Sequence, residues 1–423
     1  MKKHLYKRNE RITLWVVLIS IGLLGCSQQP ELNETDRAIA AIRKGKLTVK
    51  ANKGEQITID QLSHQFWFGA AIANGAFDRT FTDEDARIYK EKFLENFNSA
   101  STENALKWRN MERRKGIIEF ELVENILKWT DEHHIPLRGH NIYWGSHQWV
   151  QPWIMALNDE ELYETLKNRG EMVGERYKGR FVEYDINNEM IHGDYYEERF
   201  GPEIIKKMEE WVHSKDPDAQ LSLNEYDITT GVMLDKYMAK IRQLQGLGVK
   251  FSTIGVQGHL HGNTFDRNEL KRSLDSLVIF NIPVIITEFN IPGQTETYQR
   301  DDVLTEEQEI QKGVDIVDFY SICFAHPIVK GIITWGFWEG SSAFRHAALY
   351  KRDWRPLPAL EYYQNLIYKK WWTTASGKTN SKGEYSTPAF YGKYKITAGA
   401  TTKIVDFDKA SGKMVVDFTG NGY

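Results

Sequence analysis

The chain has 423 residues, 41% apolar and 26% charged, with 54 basic against 58 acidic side chains. That profile fits a soluble globular protein and excludes a collagenous, disordered or polytopic membrane chain, and a net charge of −4 argues against a nucleic-acid binder held by phosphate contacts. Aromatics are abundant, with 13 Trp, 20 Tyr and 20 Phe, and flat rings suit flat, weakly polar ligands such as sugars.

The first segment reads as a targeting signal. Lys2, Lys3, Lys7, Arg8 and Arg11 precede a 14-residue apolar run from Ile12 to Gly25, too short to span a bilayer and right for a signal core. The run ends Leu23-Leu24-Gly25-Cys26, which resembles a bacterial lipobox, so residues 1–25 are expected to be removed and Cys26 to carry lipid. Removing five bases and one acid would take the net charge from −4 to −8. Ser27 follows the cysteine, and by resemblance this favours an outer-membrane lipoprotein of a Gram-negative bacterium, with membrane contact only through the anchor. The other cysteine, Cys323, lies in an apolar stretch and reads as a buried, inert thiol.

A tether and a short β segment fill 26–60, where 47–50 and 56–59 read as a small hairpin. Between 61 and 370, eight β-rich stretches recur about 30–50 residues apart: 66–70, 97–100, 137–141, 181–185, 221–224, 253–257, 284–288 and 331–335. Helix-start signals lie between them, with Thr82 before three acids, Asn158 with Glu161, and Thr305 with Gln308. Eight alternations without a Gly-x-Gly-x-x-Gly turn point to an α/β fold, a (β/α)8 TIM barrel. From 371 to 423 the texture becomes Gly, Thr and Lys with alternating apolar residues, and a small β-rich appendage is expected.

In such a barrel the reactive groups sit at the carboxyl ends of the strands. Those ends carry Glu103-Asn104, His140-Asn141, Asn188-Glu189, Asn224-Glu225, Gln257 with His259, Glu288 and Trp335. Glu189 and Glu288 close the fourth and seventh strands, across the barrel from each other. Two carboxyls facing one glycosidic bond can supply the proton for the leaving oxygen and the attacking group. Their pKa values must then be pushed apart.

The stretches Ser-Thr-Glu-Asn-Ala-Leu-Lys-Trp (101–108), Arg-Gly-His-Asn (138–141), Glu-Arg-Tyr-Lys-Gly-Arg (175–180), Asp-Ile-Asn-Asn-Glu (185–189), Asn-Glu-Tyr (224–226), Gly-Val-Gln-Gly-His (255–259), Ile-Thr-Glu-Phe (286–289) and Thr-Trp-Gly (334–336) resemble glycoside hydrolase family 10, the endo-1,4-β-xylanases. The resemblance implies a retaining enzyme acting on β-1,4-xylan or xylo-oligosaccharides, expected to be monomeric, with no cofactor or metal. It makes Glu189 the acid/base and Glu288 the nucleophile. Asn188 would bond the sugar 2-hydroxyl, and Gln257 and His259 would orient Glu288. Glu103, Asn104 and Lys107 would hold the next sugar, with His140 and Tyr226 on the floor and Trp335 stacking on a ring.

Three positions depart from the family pattern. Gly145 follows Trp144 where a His is usual, with His147 displaced; Ala343-Phe344 stand where a second Trp is usual; and Asn290 replaces an Asp. The run 335–340 resembles a subgroup with plant and environmental bacterial members. Two alternatives remain open: a glycan-binding surface lipoprotein without strong catalysis, and the same hydrolysis on another β-1,4-glycan. A metal hydrolase, suggested by His259-Leu260-His261, lacks a matching ligand cluster elsewhere.

Overall fold

The computed structural model describes residues 33–260, 266–291, 303–341 and 345–420. The leader with Cys26, His261 and Ala343-Phe344 lie outside the described residues. Two strands, β1 (Lys44–Lys50) and β2 (Gln56–His64), lead into a ring made of β3 (Trp67–Ile72), β4 (Ala100–Thr102), β5 (Leu137–Gly139), β6 (Tyr143–Trp144), β7 (Glu183–Asn188), β8 (Leu221–Glu225), β9 (Thr253–Val256), β10 (Val284–Phe289) and β11 (Val329–Thr334). All ring pairings are parallel; β11 pairs with β3 and β5 pairs with β7, which closes the circle. Strands β5 and β6 are two pieces of the third barrel strand, both laid against β7. Each of the eight expected stretches therefore contributes to the ring, within a few residues of its expected bounds.

The helices start where their caps dictate. Thr82 accepts from Asp85 N at the head of Asp83–Asn96, and Asn158–Glu161 and Thr305–Gln308 form reciprocal capping boxes at the heads of Asp159–Arg176 and Glu306–Ala325. The helix Glu306–Ala325 buries Phe319, Tyr320 and Phe324 against the ring, and Cys323 is buried among them with its thiol pKa pushed up by that burial.

The expected hairpin does not form. Strand β1 joins β13 (Glu384–Phe390) and β16 (Lys413–Asp417) in one sheet, while β2 joins β12 (Thr374–Lys378), β14 (Gly392–Ala398) and β15 (Thr401–Phe407) in another. The reason is burial. A lone two-stranded ribbon covers only one side of its apolar residues, whereas two facing sheets enclose Leu47 and Val49 against Ile57, Ile59, Tyr394, Ile396 and Phe407. The residues before and after the barrel thus build one β-sandwich. It meets the barrel through Phe390 and Trp371, and Arg43 donates to Phe324 O, His326 O and Val329 O beside it.

Candidate active site

Strand β7 is buried throughout, and its last turn delivers Glu189 in a left-handed conformation, φ +62°. A non-glycine residue there is strained by about 1 kcal/mol, so neighbours must hold it. Glu189 N donates to Asn224 O at 3.0 Å, and Ile191 N donates to Glu225 Oε1 at 2.9 Å. Opposite, β10 is buried along its length, and Glu288 N donates to Gln257 O at 2.7 Å. Both carboxylates are thereby fixed on barrel strands rather than on long loops.

Each has its own set of partners. Glu288 Oε1 accepts from Asn224 Nδ2 at 2.8 Å and lies 3.8 Å from His140 Nδ1; its Oε2 lies 3.3 Å from His259 Nε2. Glu189 Oε1 accepts from Gln257 Nε2 at 2.9 Å and its Oε2 from Trp144 Nε1 at 2.9 Å. The Gln257 side chain therefore serves Glu189, not Glu288 as expected, and only its backbone carbonyl holds the Glu288 strand. The backbone reverses at Gly258 (φ +78°), which sends Gln257 and His259 to different carboxylates.

These surroundings push the two acids apart. Burial alone would raise Glu288, but His140, the hydrogen bond and charge of His259, and Lys107 outweigh it and lower the pKa to about 2. Glu189 goes up, chiefly through burial and further through the charge of Glu288, with its two hydrogen bonds opposing. One acid is poised to be ionised and the other to carry a proton.

Glu103, Asn104 and Lys107 converge beside this pair. Asn104 Nδ2 donates to Glu103 Oε1 at 3.0 Å and Lys107 Nζ donates to Asn104 Oδ1 at 3.0 Å. Lys107 Nζ sits 5.0 Å from the Trp144 ring and 5.7 Å from that of Trp335, and it senses the charges of Glu288, Glu103 and Glu189. Burial lowers the Lys107 pKa and raises that of Glu103 to about 7. Trp335 meets His140 edge-on at 5.1 Å. Tyr226 is stacked on His192 at 3.5 Å and senses the charge of Glu189. Asn188 Oδ1 accepts from Asn224 Nδ2 at 2.9 Å.

Three residues that carry this geometry were not singled out from sequence for a role. Asn224 bridges Asn188 and Glu288 through one amide nitrogen, and its Oδ1 accepts from Thr287 Oγ1 at 2.5 Å. Trp144 bonds Glu189, and Asp185 Oδ2 lies 2.8 Å from His140 Nδ1 while its other oxygen takes Arg138 Nη2 at 2.6 Å. Arg138 also pairs with Glu183, so the barrel interior beneath the site is a chain of opposite charges. A strand-end amide, indole or acid is visible in sequence, but its partner is not.

Two of the departures, Gly145 and Asn290, acquire physical reasons. A Cβ on Gly145 would come within 2.1 Å of Asp194 Oδ1, the cap of Tyr195–Phe200, so that position excludes a side chain. His147 is exposed and lies 2.7 Å from Glu198, away from both carboxylates. Asn290 Oδ1 is 3.1 Å from His259 Nδ1 and backs the imidazole facing Glu288. Trp338 is not a cleft residue: it stacks on Trp354 at 4.2 Å and 7°. Among the described residues no cluster of His, Cys, Asp and Glu could hold a metal ion.

Residues 59–366 match the model for Glycosyl hydrolase family 10. The chain is 31% identical over 376 residues to the anti-sigma-I factor RsgI6 of Acetivibrio thermocellus, covering 86% of this chain and 46% of that protein. It is 29% identical over 378 residues to endo-1,4-beta-xylanase 1 of Arabidopsis thaliana, covering 87% of this chain and 38% of that protein. The chain thus spans less than half the length of these curated relatives. Among solved structures it resembles xylanase 10B from Thermotoga petrophila in complex with xylobiose, with a TM-score of 0.64 at 24% identity, covering 72% of this chain and 95% of that one. The native xylanase 10B of Thermotoga maritima gives 0.63 at 24% identity, with coverages of 72% and 96%.

Proposed function

From the premise that the chain belongs to glycosyl hydrolase family 10, we propose that it is a retaining endo-1,4-β-xylanase, with Glu189 as acid/base and Glu288 as nucleophile. The observation that carries this reading is the split between the two carboxyls, one held ionised by His140, His259 and Lys107, the other driven toward its protonated form by burial and by the first. The xylanases among its relatives support xylan as the substrate class.

In the first half-reaction Glu288 attacks the anomeric carbon while Glu189 gives its proton to the departing oxygen, leaving a glycosyl ester on Glu288. Asn224 and His259 hold Glu288 on line, and Trp144 and Gln257 hold Glu189. Once the bond to Glu288 is made its negative charge is gone, Glu189 loses the repulsion that raised its pKa, and as a carboxylate it activates water for the second half-reaction. Asn188 is assigned to the 2-hydroxyl of the bonded sugar, and Glu103, Asn104 and Lys107 to the next sugar. Trp335 offers a ring face, with His140 and Tyr226 below.

Proton NMR of the first-formed anomer on xylohexaose tests the mechanism, with the β-anomer expected and an initial α-anomer contradicting it. Products from glucuronoxylan, arabinoxylan and carboxymethylcellulose test the substrate, with release expected from the first two. A protein that binds xylan with no reducing-sugar release would instead be a glycan-capturing module.

The N-terminal pattern supports a lipid anchor on Cys26 and a place in the outer membrane of a Gram-negative cell. Palmitate labelling is expected in the full chain and lost in Cys26→Ala; labelling that persists in the variant contradicts the anchor.

A further inference from the structure

Glu225, one residue after the Asn224 amide that bridges the site, is used by no step of the mechanism. It is fully enclosed, and among the described residues its Oε2 has no hydrogen-bond partner. His192 Nε2 lies 3.7 Å from that oxygen and, among the described residues, is itself without a hydrogen-bond partner. Among the described residues no cation meets it directly: Lys240 is spent on both oxygens of Glu197, at 2.7 Å each, and the other ionisable groups facing it are Glu189, Asp194, Tyr226 and Tyr237. A buried carboxylate with two acids beside it and no paired cation is unfavourable, whereas a carboxylic acid there is not.

The other oxygen has a defined task. Glu225 Oε1 accepts from Ile191 N at 2.9 Å, inside the short turn Met190–His192 that begins on the left-handed Glu189. That turn is strained and is pinned by the strand β8 backbone at Asn224, by the Glu225 side chain, and by Lys236 Nζ, which donates to Ile191 O. A neutral carboxyl can do this: its carbonyl oxygen takes the Ile191 N–H while its O–H points toward the His192 ring nitrogen.

We infer that Glu225 is a positioning residue, acting as a protonated, uncharged side chain that pins the turn carrying Glu189. This rests on Glu189 being the acid/base. A neutral amide has the same shape and offers the same carbonyl acceptor, so charge and shape can be separated by substitution.

Glu225→Gln should retain kcat on xylan within about twofold, with the alkaline limb of kcat/KM unmoved, because no charge is removed. Glu225→Ala should lose about 10- to 100-fold in kcat with KM within about twofold, and its alkaline limb should move to lower pH as water reaches the space beside Glu189. Difference infrared spectra should show the C=O stretch of a protonated carboxylic acid at neutral pH that disappears in Glu225→Gln. The inference is overturned if Glu225→Gln moves the alkaline limb downward by a unit, if it is as impaired as Glu225→Ala, if Glu225→Ala keeps full kcat, or if the infrared band is missing. Should Glu225→Ala fail to fold, Glu225→Gln and the spectra decide alone. An error in the Glu189 assignment would show separately, as equal loss of Glu189→Ala on xylan and on activated aryl glycosides, with the Glu225 band untouched.

Discussion

In the sandwich, Leu47, Val49, Ile57, Ile59 and Ile396 are fully enclosed and apolar, and the one polar side-chain atom among them and Tyr394 is the tyrosine hydroxyl, which donates to Phe390 O at 2.5 Å. At the barrel mouth Asn188, Asn224, Glu225, Glu288 and His140 are enclosed almost as completely, and every one is polar. Apolar burial stabilises without needing partners, whereas each buried polar group needs a matched neighbour or costs free energy. The mouth therefore behaves as a network in which removing one member strands another, while the sandwich can lose a methyl group with only a local effect. The proposed chemistry sits where burial is unfavourable by itself, and the apolar interior of the surrounding barrel contributes the offsetting stability.

Glu288→Ala should break the mouth outright. On the proposed role of Glu288 as nucleophile, xylan turnover should fall on the order of 10⁵-fold, measured by reducing-sugar release, with the thermal midpoint reporting whether the fold survives. Glu189→Ala should lose roughly 10²- to 10⁴-fold on xylan and much less on aryl glycosides whose leaving groups need little protonation.

The sandwich should show the opposite pattern. Ile59→Ala is expected to cost about 2–5 kcal/mol of unfolding free energy in urea titration, with kcat unchanged at temperatures where the protein is folded. A matching loss of kcat would mean that the two regions are coupled.

Subtler variants of the mouth should shift titrations rather than abolish activity. The Gln257 bond favours the ionised form of Glu189, so Gln257→Ala should raise that pKa and move the alkaline limb of kcat/KM to higher pH. His259 favours the ionised form of Glu288, so His259→Ala should move the acid limb upward from its low position. Shifts of about one unit correspond to about 1.4 kcal/mol each. Smallest of all, Ile404→Thr on the exposed face of β15 should change stability by no more than about 0.5 kcal/mol.

Much of this was legible in the chain. The capping residues Thr82, Asn158 and Thr305 fixed helix starts because a cap acts within three or four residues of itself. The alternation of β-rich and helical stretches dictated a closed parallel ring, Glu288 stood out because it ends an otherwise apolar strand, and Glu189 because it closes the fourth strand across from it. Tertiary structure alone decided that β1 and β2 part into separate sheets, since their partners lie more than 300 residues away. It also decided that Gln257 bonds Glu189, that Trp144 rather than a histidine covers that acid, and that Asn224 joins Asn188 to Glu288. The division has a physical cause. Periodicity, caps and strand ends are set by neighbours along the chain, whereas the direction of a buried polar side chain depends on which distant atom can satisfy it.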